Sequence, residues 1–279
     1  MVLKSYSKIN LSLSINKKLK NGLHEIQSYF CLINLSDKIK ISKNNQKNDK
    51  IIFKGPFAKN INKSDNSIAN LLQLLRRSKF ISNYYSVNVV KNIPVFSGLG
   101  GGTSNAAFIL KFLLKKDKII KKILKKVEKL IGSDLRLFFY KQGFLENLKT
   151  IKVINKKQKL FFLLSRPNIN CSTREIYSKI KKYSKKNKFY FHKINTKKKF
   201  ISHLLVQKNE LQPIVEKKYP IIKRIIIDIR AEKGCYFSRM SGSGSVCYGL
   251  FNSESNAKKA LTKIKTKYPK FWFSIAKTV

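Results

Sequence analysis

A glycine cluster in the first half of the chain is the feature that most constrains the fold, because it has the composition of an anion-binding loop. Residues 94–107 read Pro-Val-Phe-Ser-Gly-Leu-Gly-Gly-Gly-Thr-Ser-Asn-Ala-Ala. Glycine lets a polyanion approach the backbone and tolerates the positive φ angles that turn successive N–H groups to one side. The helix that we expect to begin near Thr103 adds unpaired N–H groups and the positive end of its dipole. The segment therefore predicts a phosphate-binding loop.

The spacing of this loop differs from the two common nucleotide-binding patterns. It lacks the Gly-Lys-Ser/Thr of the Walker loop, and no Asp or Glu follows at the distance that the dinucleotide fingerprint requires. We interpret it as a loop that holds a nucleoside triphosphate in another way. The alternative is a flexible loop that ends in a glycine cap.

The charge of the chain does not by itself indicate a nucleic-acid partner. The formal net charge is +46, from 60 Lys and Arg against 14 Asp and Glu in 279 residues. The cations are mostly Lys and are spread along the whole chain, whereas a dedicated binding patch concentrates charge, uses Arg and interleaves aromatic residues. The densest run, residues 179–199, is read as a solvated face. We expect no specific nucleic-acid function.

The cysteines and the N-terminus favour a cytoplasmic protein. Cys31, Cys171, Cys235 and Cys247 lie far apart, and only three His could join them, so neither a zinc site nor a disulfide framework is expected. The N-terminus has no signal-peptide core, and no apolar run reaches the length of a membrane span. We predict no metal ligands and no membrane association.

The periodicity of apolar residues predicts alternating strands and helices. Strands are expected at residues 11–15, 39–42, 50–54, 86–91, 135–140, 160–165, 236–239, 246–251 and 271–276. Helices are expected at residues 67–79, 103–114, 119–131, 173–181, 199–206, 211–218, 221–232 and 255–267, with Thr173 as the cap of the fourth. Strand, glycine loop and helix follow one another in the order that a phosphate site needs.

Three separated segments together resemble a known family. They are Ser-Lys-Ile-Asn at residues 7–10 with Gly-Leu-His-Glu at 22–25, the loop at 94–107, and Met-Ser-Gly-Ser-Gly at 240–244. These resemble the three signatures of the GHMP kinases, which phosphorylate small metabolites with ATP. Within that superfamily, the motifs at 132–134, 166–168, 172–173 and 209–213 are similar to those of the branch whose acceptor is a cytidine-diphosphate-linked methylerythritol. The resemblance runs from about residue 5 to residue 275.

The resemblance implies an α+β fold of two lobes and a defined reaction. Residues 1–154 would form an ATP-binding, ribosomal-S5-like α/β lobe, and residues 155–279 a ferredoxin-like α+β lobe for the acceptor. The implied reaction is ATP-dependent phosphorylation of the acceptor's 2-hydroxyl, on the non-mevalonate route to isoprenoid precursors. The implied partners are these two small molecules, with the protein as a monomer or homodimer.

Two residues are candidates for the chemistry. Transfer of the γ-phosphoryl group of ATP to an alcohol needs a base for the hydroxyl proton and cations that neutralise charge on the transferring group. Asp134, in a chain with few acids, is the candidate base. Lys8 would keep that carboxylate ionised and stabilise the developing charge, and the resemblance implies the same pair. This assignment requires Asp134 and Lys8 to converge.

The remaining candidates bind the two substrates. ATP, with Mg²⁺ as its counter-ion, is assigned to Val95, Phe96, Ser97, Gly98, Leu99, Gly100, Gly101, Gly102, Thr103, Ser104 and Asn105, with Thr103 and Ser104 near the β- and γ-oxygens or the metal. The resemblance implies that the acceptor contacts Asn10, His24, Thr173, Tyr177, Gly242 and Ser243. His24 would contact the pyrimidine edge, and Tyr177 would stack on the ring.

The chain departs from the family pattern at three places. Leu23 stands where Tyr is usual and removes one aromatic face. Arg136 stands where Pro is common, and either replaces part of the charge stabilisation or points outward. The glycine-rich stretch after the base is reduced to Gly-Phe-Leu-Glu-Asn at residues 143–147, so we expect a repacked loop there.

Two other functions stay open from the sequence. A GHMP kinase for another small alcohol, such as homoserine or mevalonate, shares the ATP loop but does not need His24 and Tyr177 around a pyrimidine. A basic nucleic-acid-binding protein would bind DNA or RNA with a steep salt dependence and would keep its function after Asp134→Asn.

Overall fold

A computed structural model describes residues 2–59, 61–62, 64–154, 157–187 and 196–279. The strands of these residues are β1 Val2–Asn10, β2 Ser14–Lys18, β3 His24–Asn44, β4 Lys50–Lys54, β5 Tyr84–Val90, β6 Gln142–Asn147, β7 Thr150–Val153, β8 Phe161–Arg166, β9 Cys235–Met240, β10 Cys247–Phe251 and β11 Trp272–Lys277. The α-helices are α1 Ser67–Arg77, α2 Gly101–Leu114, α3 Asp117–Ile131, α4 Thr173–Ser178, α5 Lys197–Leu205, α6 Gln212–Lys218, α7 Pro220–Ala231 and α8 Glu254–Lys267. A 3-10 helix spans Ser133–Phe139.

The chain forms two compact units that interleave along the sequence. Unit 1 comprises Met1–Ser7, Leu35–Val95 and Gly100–Phe139. Unit 2 comprises Lys8–Asn34, Phe96–Leu99 and Tyr140–Val279. The lobe boundary expected between residues 154 and 155 falls where residues 155–156 lie outside the described part of the chain, so it stays a prediction. Residues 188–195 of the lysine-rich run lie outside it as well.

Unit 1 packs three helices and a sheet that includes β4, β5 and the second half of β3 around an aliphatic core. β5 pairs antiparallel with the second half of β3, with Lys38 opposite Val90, and parallel with β4. Helices α1, α2 and α3 pack on one another, and the 3-10 helix packs on α2 and α3. Fully buried aliphatic residues from all three helices form the core, among them Leu71, Leu72, Leu75, Ile109, Leu110, Ile123 and Val127. In α1 and α3 the buried side chains recur at helical spacing and form one apolar face, whereas α2 is buried around most of its circumference.

Unit 2 contains a four-stranded antiparallel sheet in the order β11-β8-β10-β9. Helices α7 and α8 pack on this sheet. Counting α7 and α8 as its two helices, the unit has the βαββαβ order of a ferredoxin-like fold, as the resemblance implied. The first half of β3 pairs with β2 and with β6, and β6 pairs in turn with β7.

Most of the expected elements are present, and three expectations are wrong. Residues 135–140 were expected as a strand but lie mainly in the 3-10 helix, which buries Leu135, Leu137 and Phe138. Ser172, not Thr173, caps α4, because its hydroxyl accepts from the backbone N–H of Glu175 at 3.3 Å. Residues 143–147 belong to strand β6 rather than to a loop.

Two further findings concern the cysteine thiols and the membrane-spanning potential of the helices. All four cysteines are free thiols, with Cys31, Cys171 and Cys247 buried and Cys235 half-buried. Burial raises the pKa of Cys171 to about 11, and burial also raises the pKa of the other three thiols. In the described part of the chain, no helix has the length and apolar character needed to cross a bilayer.

Candidate active site

The start of helix α2 in unit 1 has the features of an anion site. Gly100 precedes the helix with φ of +71°, in the left-handed region that favours glycine. No side chain caps this end, and its first turn contains no acidic residue. The N–H groups of the first turn therefore lack the side-chain acceptor that caps α1 and α8, and a phosphate oxygen can serve as their acceptor.

Residues 96–99 of the same loop lie in unit 2, where they contact the second glycine segment. The backbone N–H of Val246 donates to the carbonyl of Ser97 at 3.1 Å, and the Ser241 hydroxyl donates to the carbonyl of Gly98 at 3.2 Å. Gly98 has φ of +76°, and a Cβ there would collide with the carbonyl oxygen of Ser241. The collision explains why position 98 is glycine.

Lys8 lies in unit 2 beside both glycine segments. It occupies the end of β1, is 3% exposed, and donates its backbone N–H to the carbonyl of Leu99 at 3.1 Å. Its ammonium group donates to the amide oxygen of Asn10. A Cβ on Gly242 would lie 3.5 Å from the Lys8 Nζ and 3.1 Å from the Asn10 Oδ1. The arrangement places a buried ammonium group beside both glycine segments.

Asn209 holds the shape of the second glycine segment. Its Nδ2 donates to the carbonyls of Met240 and Gly242, each at 2.8 Å, and its Oδ1 accepts from the N–H of Leu211 at 3.0 Å. Its motif was recognised from the sequence, but no role was assigned to the side chain. Only the contact with a segment some thirty residues downstream reveals it.

Two of the expected acceptor residues meet in this region of unit 2. The hydroxyls of Thr173 and Ser243 lie 2.9 Å apart. Ser243 is 7% exposed, whereas Thr173 is exposed at the first turn of α4. The pair presents hydroxyl groups at the edge of the second glycine segment.

His24, the first residue of β3, lies beside two tyrosine rings. The His24 and Tyr177 ring centres are 5.1 Å apart, and the His24 and Tyr183 centres are 6.3 Å apart with nearly parallel planes. Burial, assisted by the nearby Lys18, lowers the pKa of His24, so the neutral imidazole is favoured near pH 7. Leu23 beside it is 48% exposed. The sequence predicted that His24 and Tyr177 lie together, but it gave Tyr183 no role in the site.

The segment that carries Tyr183 is tied to strand β2 and to β3. The N–H of Ser184 donates to the carbonyl of Ile15 at 2.8 Å, and the N–H of Asn187 donates to the Gln27 Oε1 at 2.7 Å. These bonds hold the backbone of the segment, whose Tyr183 side chain is 45% exposed.

Asp134 lies in the 3-10 helix of unit 1 and is half-buried. Gly132, with φ of +139°, separates this helix from α3. The guanidinium of Arg136 makes two bonds to the carboxylate of Glu128, from Nε at 2.6 Å and from Nη2 at 2.7 Å. The sequence left two interpretations of Arg136 open, charge replacement and an outward orientation. Neither predicted this ion pair with Glu128 within unit 1.

The other residues of the first loop differ in exposure. Phe96 is 63% exposed and has φ of +51°, which is unusual for a residue with a side chain. Ser104 is buried, and its hydroxyl donates to the carbonyl of Tyr6 at 2.6 Å. Asn105 is 1% exposed. Thr103 is half-buried in the first turn of α2.

The candidate residues are therefore divided between the two units. Unit 1 holds Val95, Gly100, Gly101, Gly102, Thr103, Ser104, Asn105 and Asp134, and unit 2 holds Lys8, Asn10, His24, Phe96, Ser97, Gly98, Leu99, Thr173, Tyr177, Gly242 and Ser243. The convergence of Asp134 and Lys8 stays a prediction. Within the described ranges, no three His, Cys, Asp or Glu side chains come together as a metal site would require.

Comparison with known proteins identifies the family. A kinase of Pelagibacter ubique, 4-diphosphocytidyl-2-C-methyl-D-erythritol kinase, is 38% identical over 99% of this chain and 98% of its own length. The chain belongs to this kinase family. A Wolbachia pipientis kinase of the same name is 32% identical over 96% of this chain and 95% of its own length.

Two other comparisons agree with this family assignment. The family model for the C-terminal region of GHMP kinases matches residues 196–270. A crystal structure of 4-(cytidine 5'-diphospho)-2C-methyl-D-erythritol kinase has the same fold, with a TM-score of 0.73 and 20% identity over 99% of both chains. The two-lobed GHMP kinase fold expected from the sequence is thereby confirmed.

Proposed function

We propose that the protein is an ATP-dependent kinase that phosphorylates the 2-hydroxyl of 4-diphosphocytidyl-2-C-methyl-D-erythritol, a step on the non-mevalonate route to isoprenoid precursors. The observation that carries this proposal is the 38% identity with the Pelagibacter kinase over almost the whole chain. The uncapped start of α2 supports a triphosphate donor, and the ring cluster at His24 supports an acceptor with a nucleobase.

The transfer step assigns a role to each of two residues. The acceptor hydroxyl oxygen bonds to the γ-phosphorus of ATP while the bond from that phosphorus to the β–γ bridging oxygen breaks, and ADP leaves. Asp134 takes the hydroxyl proton, and Lys8 offsets the negative charge on the transferring group. The burial of Lys8 supports this role, because a cation acts more strongly on a nearby charge where water is excluded.

The triphosphate is assigned to the first glycine loop and the start of α2. Backbone N–H groups there face the phosphates, and we assign the hydroxyl contact to Thr103, because the Ser104 hydroxyl is bonded to the carbonyl of Tyr6. Mg²⁺, bound to ATP, would neutralise part of the phosphate charge. Thr103 and the phosphate oxygens are hard oxygen donors of the kind that Mg²⁺ prefers.

The cytidine group is assigned to His24 and the tyrosines beside it. A neutral imidazole can both donate and accept a hydrogen bond at the pyrimidine edge, and the lowered pKa of His24 supports that form. Tyr177 supplies one stacking ring. Tyr183 supplies a second ring in a chain whose Leu23 lacks one, and Asn10, Thr173, Gly242 and Ser243 are assigned to the polar remainder of the acceptor.

The location and assembly of the protein are proposed from the sequence. The widely spaced free cysteines support a cytoplasmic location, where thiols stay reduced. We propose that the protein is a monomer or a homodimer and that its partners are small molecules.

A coupled assay of ADP release tests the proposed function. We expect the purified protein to release ADP with the cytidyl substrate and to be far slower with homoserine or mevalonate. Asp134→Asn should lower kcat about 10²- to 10⁴-fold, because the proton acceptor is lost. ATP binding, measured by calorimetry, should change little.

Asp117→Asn is the matched control for charge removal. Asp117 is an exposed acid at the start of α3, so this variant should keep full activity. Normal turnover by Asp134→Asn would remove the base from the proposal. Preference for homoserine or mevalonate would replace the cytidyl acceptor.

A further inference from the structure

A buried polar cluster lies beneath the start of helix α2 in unit 1. The side chains of Asp37, Lys91 and Asn105 are 0%, 2% and 1% exposed. The Lys91 ammonium donates to the Asp37 Oδ2 and, at 3.0 Å, to the Asn105 Oδ1. The Asn105 Nδ2 donates to the Asp37 Oδ2 at 2.9 Å and to the Ser5 Oγ at 3.0 Å. Both polar atoms of the Asn105 side chain are therefore engaged inside the protein.

The second carboxylate oxygen of Asp37 holds the chain just before the glycine loop. The Asp37 Oδ1 accepts from the backbone N–H of Asn92 at 2.8 Å and from that of Ile93 at 2.9 Å. Pro94, where the loop begins, follows directly. One carboxylate thus binds the entry of the loop through the backbone and its exit through Asn105.

The first residue of α2 packs on the same cluster. A Cβ on Gly101 would lie 3.3 Å from the Lys91 Nζ and 3.0 Å from the Ile93 Cγ2. There is little room for a side chain between the helix start and the ammonium group. The cluster therefore determines where the N–H groups of the first helical turn can lie.

A contribution to stability alone does not explain why the chain buries the charged pair of Asp37 and Lys91 beneath α2. Desolvation lowers the pKa of Lys91, and the contact with Asp37 opposes that effect. A buried ion pair is often no more stabilising than apolar side chains of the same volume, because both charges lose their hydration. Directional bonds can instead fix one arrangement of the backbone, which apolar packing defines less sharply.

We propose that Asp37, Lys91 and Asn105 are positioning residues that hold the two ends of the phosphate loop in the geometry that binds ATP. This inference rests on the proposed role of the loop as the ATP site. It also changes the expected role of Asn105, which acts by holding α2 and does not touch the nucleotide. A loop fixed before binding loses less conformational entropy when ATP arrives.

An exchange of the two side-chain types tests the proposal. The variants are Asp37→Asn, Asn105→Asp and the double variant that carries both changes. The first leaves Lys91 without the Asp37 carboxylate, and the second places two carboxylates on one ammonium. The double variant keeps one acid and one amide and reverses the bond between positions 37 and 105. The amide oxygen at position 37 keeps the N–H groups of Asn92 and Ile93, and Lys91 exchanges its acceptor at position 37 for the new carboxylate at position 105.

Each single variant should raise the dissociation constant for MgATP about 10-fold or more, since misplaced groups bind and react poorly. The KM for the acceptor should change little. The double variant should recover part of the ATP affinity, because Lys91 regains a carboxylate partner at position 105, so that the two changes are non-additive. Binding is measured by calorimetry and stability by thermal unfolding.

Two outcomes would overturn the proposal. If the single variants unfold at lower temperature but bind MgATP like the wild type, the cluster is structural only. If the double variant regains stability but not ATP affinity, Asn105 contacts the nucleotide directly, because the new carboxylate then repels the phosphates.

Leu75→Ala provides the stability control. This residue is fully buried in α1 and lies outside the cluster, so its loss should lower Tm without changing ATP affinity at temperatures below unfolding. The test reads ATP binding without an acceptor. A wild-type protein that binds MgATP but does not phosphorylate the cytidyl substrate would therefore refute the proposed function and leave this inference testable.

Discussion

The two glycine segments of the protein are supported by different kinds of polar contact. In unit 1, the start of α2 rests on the buried ion pair of Asp37 and Lys91. In unit 2, residues 240–244 are held by the neutral amide of Asn209 and by the hydroxyl of Ser241. A buried charge that loses its partner is costly, whereas a lost neutral bond has a smaller, local cost. Loss of either member of the ion pair should therefore destabilise the start of α2 strongly. Loss of one neutral bond should destabilise residues 240–244 less.

Breaking the ion pair should have the largest effect on stability. Lys91→Met leaves the Asp37 carboxylate buried without its cation, so we expect a loss of about 3–5 kcal/mol in the free energy of unfolding. Urea denaturation followed by circular dichroism measures it. Lys91→Met combined with Asp37→Asn should recover part of the loss, and a double variant as unstable as the single one would contradict the unpaired charge as the cause.

A side chain at Gly98 should cause the next largest loss of stability, because it disrupts the contact between the first loop and residues 240–244. Gly98→Ala combines a positive φ with a collision against the Ser241 carbonyl, and we expect a loss of about 3 kcal/mol and of most kinase activity. Gly22→Ala is the matched control, since φ there is +83° with open space around it. It should cost only about 1 kcal/mol and keep the activity. Equal losses in the two variants would show that the collision is relieved.

Removing the Asn209 amide tests the neutral support. Asn209→Ala leaves the carbonyls of Met240 and Gly242 without their side-chain donor, so we expect a loss of about 2 kcal/mol. Thermal unfolding against Asn252→Ala, which removes an exposed amide whose Oδ1 accepts from Asn256, measures the difference. A loss as large as that of Lys91→Met would remove the distinction between the two supports.

The smallest effect is expected at Phe96. This exposed residue has φ of +51°, and Phe96→Gly should raise the free energy of unfolding by about 1 kcal/mol, because glycine adopts that backbone without strain. ATP affinity should stay near that of the wild type. A clear loss of affinity would show that the Phe96 ring itself takes part in nucleotide binding.

The sequence predicted those parts of the fold whose signals are local. The glycine loop with α2, helix α3 and strand β8 follow from composition and periodicity within a few residues. Residues 135–140 were misread because Leu135, Leu137 and Phe139 alternate as in a strand, whereas the 3-10 helix after Gly132 buries Leu135, Leu137 and Phe138. Short apolar runs do not separate these two solutions.

The support of the candidate site could not be predicted in the same way. Asp37 and Lys91 are 54 residues apart in sequence, and Asn209 contacts a segment near residue 241. Asp37 and Lys91 have ordinary local contexts, and the recognised motif of Asn209 does not reveal what its side chain contacts. Only the tertiary contact gives each of these residues its role. The motif residues themselves were found because glycines and paired hydroxyls at fixed spacing carry their own signal.

The distribution of thiols offers a way to watch one part of the molecule open. All four cysteines lie in unit 2, and unit 1 has none. Because their raised pKa values keep them protonated and burial shields most of them, a disulfide reagent such as dithionitrobenzoate should react slowly with the native protein. Colour release during gradual denaturation would then report the opening of unit 2 alone, without any label being introduced.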